Sequence, residues 1–162
     1  MKRLVVVPVD FSTLSESALE HAVHCACADT KRLLLLHVVD PLDLADLGLI
    51  DMQAYEERLR QELIHSAERS LQQLAAKYAD EHVAISTLVA LDRPWRGIIR
   101  AAIEQQADAI VMGSHGRGSV AELMLGSVAE KVVRKAPMAV TVIKPTRIRQ
   151  RLLRFWQQEQ VL

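Results

Sequence analysis

Short aliphatic runs recur along the chain, and the stretches between them are too long for hairpin turns. Leu4 to Val9 is the first, apolar with almost no alternation, as expected of a strand covered on both faces. Leu33 to Val39, Ala109 to Met112 and Ala139 to Ile143 repeat it, while Val83, Ile85, Thr87 and Val89 alternate like a strand with one open face. Strands joined by long crossovers must pair in parallel, with right-handed connections and helices on both faces of the sheet.

The intervening segments read as helices. Thr13-Leu14-Ser15-Glu16 fits a capping box with Thr13 as cap, and Ala18, Leu19, Ala22, Val23 and Ala26 then recur at helical spacing, predicting a helix to about Asp29. Gln53 to Tyr78 contains no Gly or Pro. Its stripe of Leu59, Leu63, Ala67, Leu71 and Leu74 predicts a long amphipathic helix, with a coiled coil as the second reading. Pro94 opens a helix carrying Ile98, Ile99, Ala102 and Ile103, and Ser127 to Lys135 forms another. Residues 40–52 mix Asp with Leu and read as a loop or the start of a helix. The expected order is βαβαβαβαβ, an open α/β sheet.

Composition narrows the class. The chain has 162 residues, half of them apolar but 4% aromatic, so its core must be built from Val, Leu, Ile and Ala. Twenty basic residues balance twenty acidic ones, so no global field draws it to nucleic acid or membrane, and a charged partner must be met locally. Met1-Lys2-Arg3 and Leu4 to Val7 imitate a signal peptide, but Pro8 and Asp10 end the apolar stretch early; a cytoplasmic location is expected. No run approaches the roughly 18 apolar residues of a membrane span. Cys25 and Cys27, two apart on a helix, point about 200° away from each other and cannot pair, so they read as thiols of a reducing compartment.

Open parallel sheets bind ligands beyond the carboxyl ends of their strands. Here those ends read Pro8-Val9-Asp10-Phe11-Ser12, then His37-Val38-Val39-Asp40, then Met112-Gly113-Ser114-His115-Gly116-Arg117-Gly118. Gly113 and Gly116 directly follow a strand, and Gly126-Ser127 opens the next helix. Glycines let the backbone approach a phosphate, and N–H groups in the loop and at the helix start donate to anions. Ser127 is placed at the N-cap, where its hydroxyl caps the helix or reaches a phosphate oxygen. Charge-assisted bonds contribute roughly 1.5–3 kcal/mol each, so a few of them hold a triphosphate at micromolar strength.

Gly113-x2-Gly116-x9-Gly126-Ser127, with Pro-Val-Asp-Phe-Ser ending the first strand, resembles the nucleotide-binding branch of the universal stress protein family. The likeness spans about residues 1–145 and includes the Leu-Leu-His-Val-Val strand. It implies a Rossmann-like fold, akin to the adenine nucleotide alpha hydrolases, with five parallel strands in the order 3-2-1-4-5. It also implies ATP, with Mg or Mn, between the first and fourth strand ends, AMP or ADP being the other candidates. On this likeness Asp10 contacts the ribose or the metal-bound phosphates, Pro8 and Val9 line the base or ribose pocket, and Val38 meets the adenine through its backbone. Met112, Gly113, Ser114, His115, Gly116, Arg117 and Gly118 wrap ribose and phosphates, and Gly126, Ser127 and Val128 close over the phosphate tail. A homodimer through the edge strand Ala139 to Ile143, or a tetramer, is implied as well.

The chain departs from that pattern in places. Asp92-Arg93-Pro94 replaces the usual Gly-x-Pro, so a positive φ at Asp92 would be costly. After the domain at 1–145 comes a basic amphipathic extension, 146–162. In it Ile148, Leu152 and Phe155 or Trp156 share one helix face, among Arg147, Arg149, Arg151 and Arg154. That extension packs on its own domain or a second subunit, meets a protein or membrane partner, or stays disordered.

Other residues carry blander readings. His21 and His24 read as a solvated face rather than a metal pair, and His37 as a satisfied core histidine. His115 lacks a nucleophile–base–orienter set around it, so no catalytic residue is expected. There is no Gly-x4-Gly-Lys-[Ser/Thr] and no Gly-x-Gly-x-x-Gly after the first strand. Two functions follow: a nucleotide-dependent regulator or sensor of the stress response, or a slow ATP-hydrolysing or adenylyl-transferring enzyme. A structural dimer whose glycines only make turns is the third reading.

Overall fold

The protein, a computed structural model, is described over residues 3–27, 32–41, 53–79, 83–116 and 125–159. Its strands are β1 (Leu4–Pro8), β2 (Arg32–Val39), β3 (Ala84–Leu91), β4 (Ala109–Gly113) and β5 (Ala139–Ile143). Between and after them run α1 (Thr13–Cys27), α2 (Gln53–Lys77), α3 (Pro94–Glu104), α4 (Ser127–Lys135) and α5 (Thr146–Glu159). The strands form one parallel sheet in the order β3-β2-β1-β4-β5. The expected doubly wound α/β fold is therefore present.

The unbroken aliphatic runs are explained by burial on both sides. Val5, Val7 and Val9 join Leu33, Leu35 and Val111 on one face, covered by Ala18, Leu19 and Ala22 of α1 and Leu71 of α2. Leu4, Val6, Leu34, Leu36, Ile110 and Met112 turn to the other face, under Ile98, Ala101 and Ala102 of α3 and Ala129 and Val132 of α4. Each fully buried aliphatic side chain contributes about 1.5–3 kcal/mol as an upper figure. Alanines at the helix contacts let the helices lie close on the sheet.

Several local expectations shift. Ser12, not Thr13, caps α1: its Oγ accepts from the Ser15 N–H (3.2 Å) and its carbonyl from the Glu16 N–H (3.1 Å). The Glu16 side chain does not fold back on the cap, because it bonds Lys77 and Tyr78 across to α2. On α2 the stripe is buried at Ala67 and Leu71, while Leu63 is exposed. On α3 the buried face is Ile98, Ala101 and Ala102, an i, i+3, i+4 set that leaves Ile103 outside. β3 is not open on one face throughout: Ile85 and Val89 pack to one side, Leu88 and Ala90 to the other. Residues 28–31 and 42–52 lie outside the described residues.

Candidate functional site

The chain leaves β1 for α1 on one face and β4 for α4 on the other, so a crevice opens between the carboxyl ends of these adjacent strands. Register fixes what borders it. Pro8 pairs with Leu36 and Val6 with Ile110, so Asp10 emerges level with Val38 on β2 and Ser114 beyond β4.

Asp10 is held by the next turn. Its Oδ1 accepts from the backbone N–H of Ser12 (3.0 Å) and from the Ser12 hydroxyl. In this Asx-type turn Phe11 sits at φ 61°, a left-handed conformation that costs a bulky residue about 1–2 kcal/mol. Phe11 offsets that cost by packing into the core beside α1 and lying against His37, ring centroids 4.7 Å apart. His37 is half-buried and satisfied, its Nδ1 2.7 Å from the Val9 carbonyl. Val9 is buried beneath, its N–H on Leu36 O at 2.8 Å.

Across the crevice the β4 end is tied down at Ser114, which is 2% exposed. Its N–H donates to Ile143 O (2.8 Å), its carbonyl accepts from the Gly126 N–H (2.8 Å), and its Oγ lies 2.8 Å from His115 Nδ1. One residue thereby joins β5, the loop and the start of α4. Three glycines allow this closeness. A Cβ at Gly113 would fall 2.9 Å from Leu14 Cγ, one at Gly126 would fall 3.2 Å from Ser114 O, and one at Gly116 would fall 3.0 Å from Asp10 Oδ2. The loop rests directly on the carboxylate.

Helix α4 begins on that loop. Gly126 is its N-cap and no side chain bonds there, so Ser127 is the first helical residue rather than the cap, a correction of one position. The first-turn N–H groups have no partner within a helix and carry the positive end of its dipole. Val128 is partly buried against the core. Met112 is buried under the crevice floor and Pro8 half-buried at its β1 side. Arg117 and Gly118 lie outside the described residues.

Among the described residues no group of three His, Cys, Asp or Glu could hold a metal ion by itself. Asp10 supplies one carboxylate, and a Mg²⁺ or Mn²⁺ bound there would take its remaining oxygens from phosphates and water, the usual arrangement for Mg²⁺. The donor set therefore suits a nucleotide-borne cation. A cleft of about 270 Å³ lies on the other side of Phe11, between α1 and α2, lined by Val9, Phe11, Ser12, Glu16, Ser70 and Lys77. A further cleft opens at the opposite end of the sheet, by Leu4, Arg32 and Gln105.

The model of the universal stress protein family matches residues 1–144. The chain belongs to that family. It is 31% identical to a universal stress protein of Thermus aquaticus over 144 residues, covering 89% of this chain and 100% of that one. A universal stress protein of Methanocaldococcus jannaschii is 26% identical over 155 residues, 89% of this chain and 96% of that one. Its solved structure superposes with a TM-score of 0.79 at 27% identity, covering 90% and 98% of the two chains. More distant universal stress protein structures, 23% identical with TM-scores of 0.62 and 0.57, were solved in complex with cAMP and, from Archaeoglobus fulgidus, with dAMP.

Against the universal stress protein pattern, Asp92 does not adopt the positive φ that a glycine there would permit; among the described non-glycine residues only Phe11 and Gln106 do. Its Oδ1 accepts from the Arg93 N–H (2.8 Å) and its Oδ2 is 3.0 Å from Arg100 Nη1. The left-handed backbone of Phe11 and the packing at Gly97 were not expected from the sequence. Phe11 gave no signal, since nothing in an aromatic side chain announces a left-handed backbone. Gly97 had one, an isolated glycine in a helical pattern: a Cβ there would fall 2.8 Å from Val38 Cγ1, so it lets α3 lie against the β2 end of the crevice.

Proposed function

We propose that this universal stress protein binds an adenine nucleotide, ATP with Mg²⁺ or Mn²⁺, in the crevice between β1 and β4, and that occupancy regulates what it associates with. The observation that carries the reading is the meeting of Asp10 with Gly116 and the uncapped start of α4. A carboxylate beside a helix N-terminus suits a phosphate chain carrying its own cation, with N–H groups on the phosphate oxygens and Asp10 on the metal or the ribose. Pro8, Val9 and Val38 would border base and ribose, and Met112 to Gly118 with Gly126 to Val128 the phosphates. The cAMP and dAMP complexes are of distant relatives, whose likeness at 23% identity speaks for the fold, so this chain's own glycine geometry bears the weight.

Regulation follows from connectivity. Ser114 bonds both Ile143 of β5 and Gly126 of α4, so a ligand that tightens the loop also acts on the edge strand. β5 ends the sheet order with Ala139 and Thr141 exposed, and in this reading it pairs with its copy in a homodimer in the cytoplasm. The domain at 1–145 would do this alone, with the helix from 146 onward as an appendage.

Hydrogen exchange with and without Mg-ATP tests the reading. Protection is expected at Gly113 to Gly116 and Gly126 to Ala129, with a change in sedimentation, and none with NAD. Unchanged exchange in a well-folded protein freed of nucleotide would make the glycines structural. Phosphate or pyrophosphate release faster than about one per second would favour the enzyme reading instead.

A further inference from the structure

Charge balances over the whole chain but not along it. Residues 1–143 carry 15 basic and 19 acidic side chains, whereas 144–162 carry five and one. The basic excess falls on α5, with Arg147, Arg149, Arg151 and Arg154 inside the helix and Lys144 just before it.

The helix is fastened at its start and bare at its end. Ile148 is 3% exposed and Leu152 half-buried, but Leu153, Phe155 and Trp156 are 52%, 51% and 59% exposed. Phe155 and Trp156 stack edge to face, 5.7 Å between centroids. At helical spacing Ile148, Leu152, Phe155 and Trp156 share one arc, Arg147 and Arg154 lie on the far side, and Arg149 and Arg151 flank the two apolar edges. Among the described residues no helix is long and apolar enough to cross a membrane.

We propose that α5 is a membrane-surface anchor, its last two turns lying in the interface of an anionic lipid bilayer. Phe155 and Trp156, the exposed end of that arc, enter the headgroup boundary, where an indole ring is best placed, and the arginine forks take lipid phosphates. The charge division supports this occupant, because the tail meets an anionic surface that the net-negative domain does not. Area argues against a second copy: three exposed apolar side chains cover far less than the roughly 800 Å² per partner of a stable interface. Binding is reversible, since one short helix gives a single weak anchor.

The test is co-sedimentation of the full chain with phosphatidylcholine vesicles, with and without phosphatidylglycerol. The anionic vesicles should hold at least about tenfold more protein, and the difference should collapse on raising salt from about 0.05 to 0.5 M. Replacing Arg151 and Arg154 together by Gln should weaken partition about 25-fold, roughly fivefold for each charge. Phe155→Ser with Trp156→Ser should abolish it, and Trp156→Phe should remove the blue shift of emission on adding vesicles. All these side chains are exposed, so the variants' melting temperatures should match the parent and exclude misfolding. Absent binding, or equal binding to neutral vesicles, overturns the proposal. So does self-association that Phe155→Ser/Trp156→Ser dissolves, which would assign the face to a second copy, or retention of DNA or RNA without vesicle binding.

Discussion

The crevice and the terminal helix are built on opposite principles. In the crevice the surface is backbone: Gly113, Gly116 and Gly126 sit where a Cβ would lie 2.9 to 3.2 Å from Leu14, Asp10 or Ser114. In α5 the backbone is an ordinary helix and the surface is made of side chains, exposed Leu153, Phe155 and Trp156 set among arginines. The first kind of site is specified by what must be missing, and a single added methyl group disturbs it. The second is specified by what is present, and tolerates any change that keeps charge and amphipathicity. Mutational sensitivity should therefore divide sharply between them.

The largest contrast lies in stability. Leu71→Ala, in the packed end of α2, should cost about 2–5 kcal/mol in urea unfolding, while Leu153→Ala should stay within about 0.5 kcal/mol. Equal effects would mean that α5 is an integral part of the core. Next comes Gly113→Val, which drives a branched side chain into Leu14. It should cost about 1–3 kcal/mol, against almost nothing for Gln157→Val on the exposed helix. A neutral Gly113→Val would show that α1 yields at Leu14, contrary to a crevice fixed by close packing.

Asp10→Asn sharpens the comparison within the crevice. It keeps the shape but removes the charge, and Mg-ATP affinity should fall about tenfold, roughly 1.4 kcal/mol, with less loss for AMP. Equal loss for both nucleotides would put Asp10 on the ribose instead of the metal.

The smallest effect is a pH dependence outside both regions. The Lys77 ammonium, and then the Tyr78 hydroxyl, hold the Glu16 carboxyl below its ordinary 4.5. A depressed carboxylate stabilises the fold above about 4.5 and loses that contribution as pH falls through the lower folded value. Parent and Glu16→Gln should thus differ in melting temperature at pH 6 and converge toward pH 3. Burial, followed by the bond to Glu20, pushes Tyr78 up to about 12. Its contribution is complete below about 10 and lost as pH rises through 12, so Tyr78→Phe should flatten the alkaline limb of the curve.

Much of this was legible in the residues. The buried strands announced themselves, because a parallel strand covered on both faces cannot alternate, and Val5, Val6 and Val7 do not. The glycine spacing showed where the backbone comes close, since Cβ atoms at Gly113, Gly116 and Gly126 would meet Leu14, Asp10 and Ser114. What failed was local. Thr13 and Ser12 are both good caps, and only the turn at Phe11 decides between them. Ile103 fits the helical period but misses the sheet, since the buried arc of α3 centres on Ala101 and Ala102. Neither Phe11's left-handed backbone nor the Asp92–Arg100 pair leaves a pattern in composition, being consequences of tertiary packing.

Calorimetric titration of the full chain with Mg-ATP decides whether the glycine-lined crevice holds an adenine nucleotide. Gly116→Val, whose side chain would press on Asp10 Oδ2, serves as the control once its circular dichroism matches the parent. Micromolar binding is expected of the parent, at least about a hundredfold weaker in Gly116→Val and unaltered in Phe155→Ser/Trp156→Ser. A folded, nucleotide-free parent that releases no heat with ATP, ADP or AMP, or a Gly116→Val variant that binds as well as the parent, would contradict it.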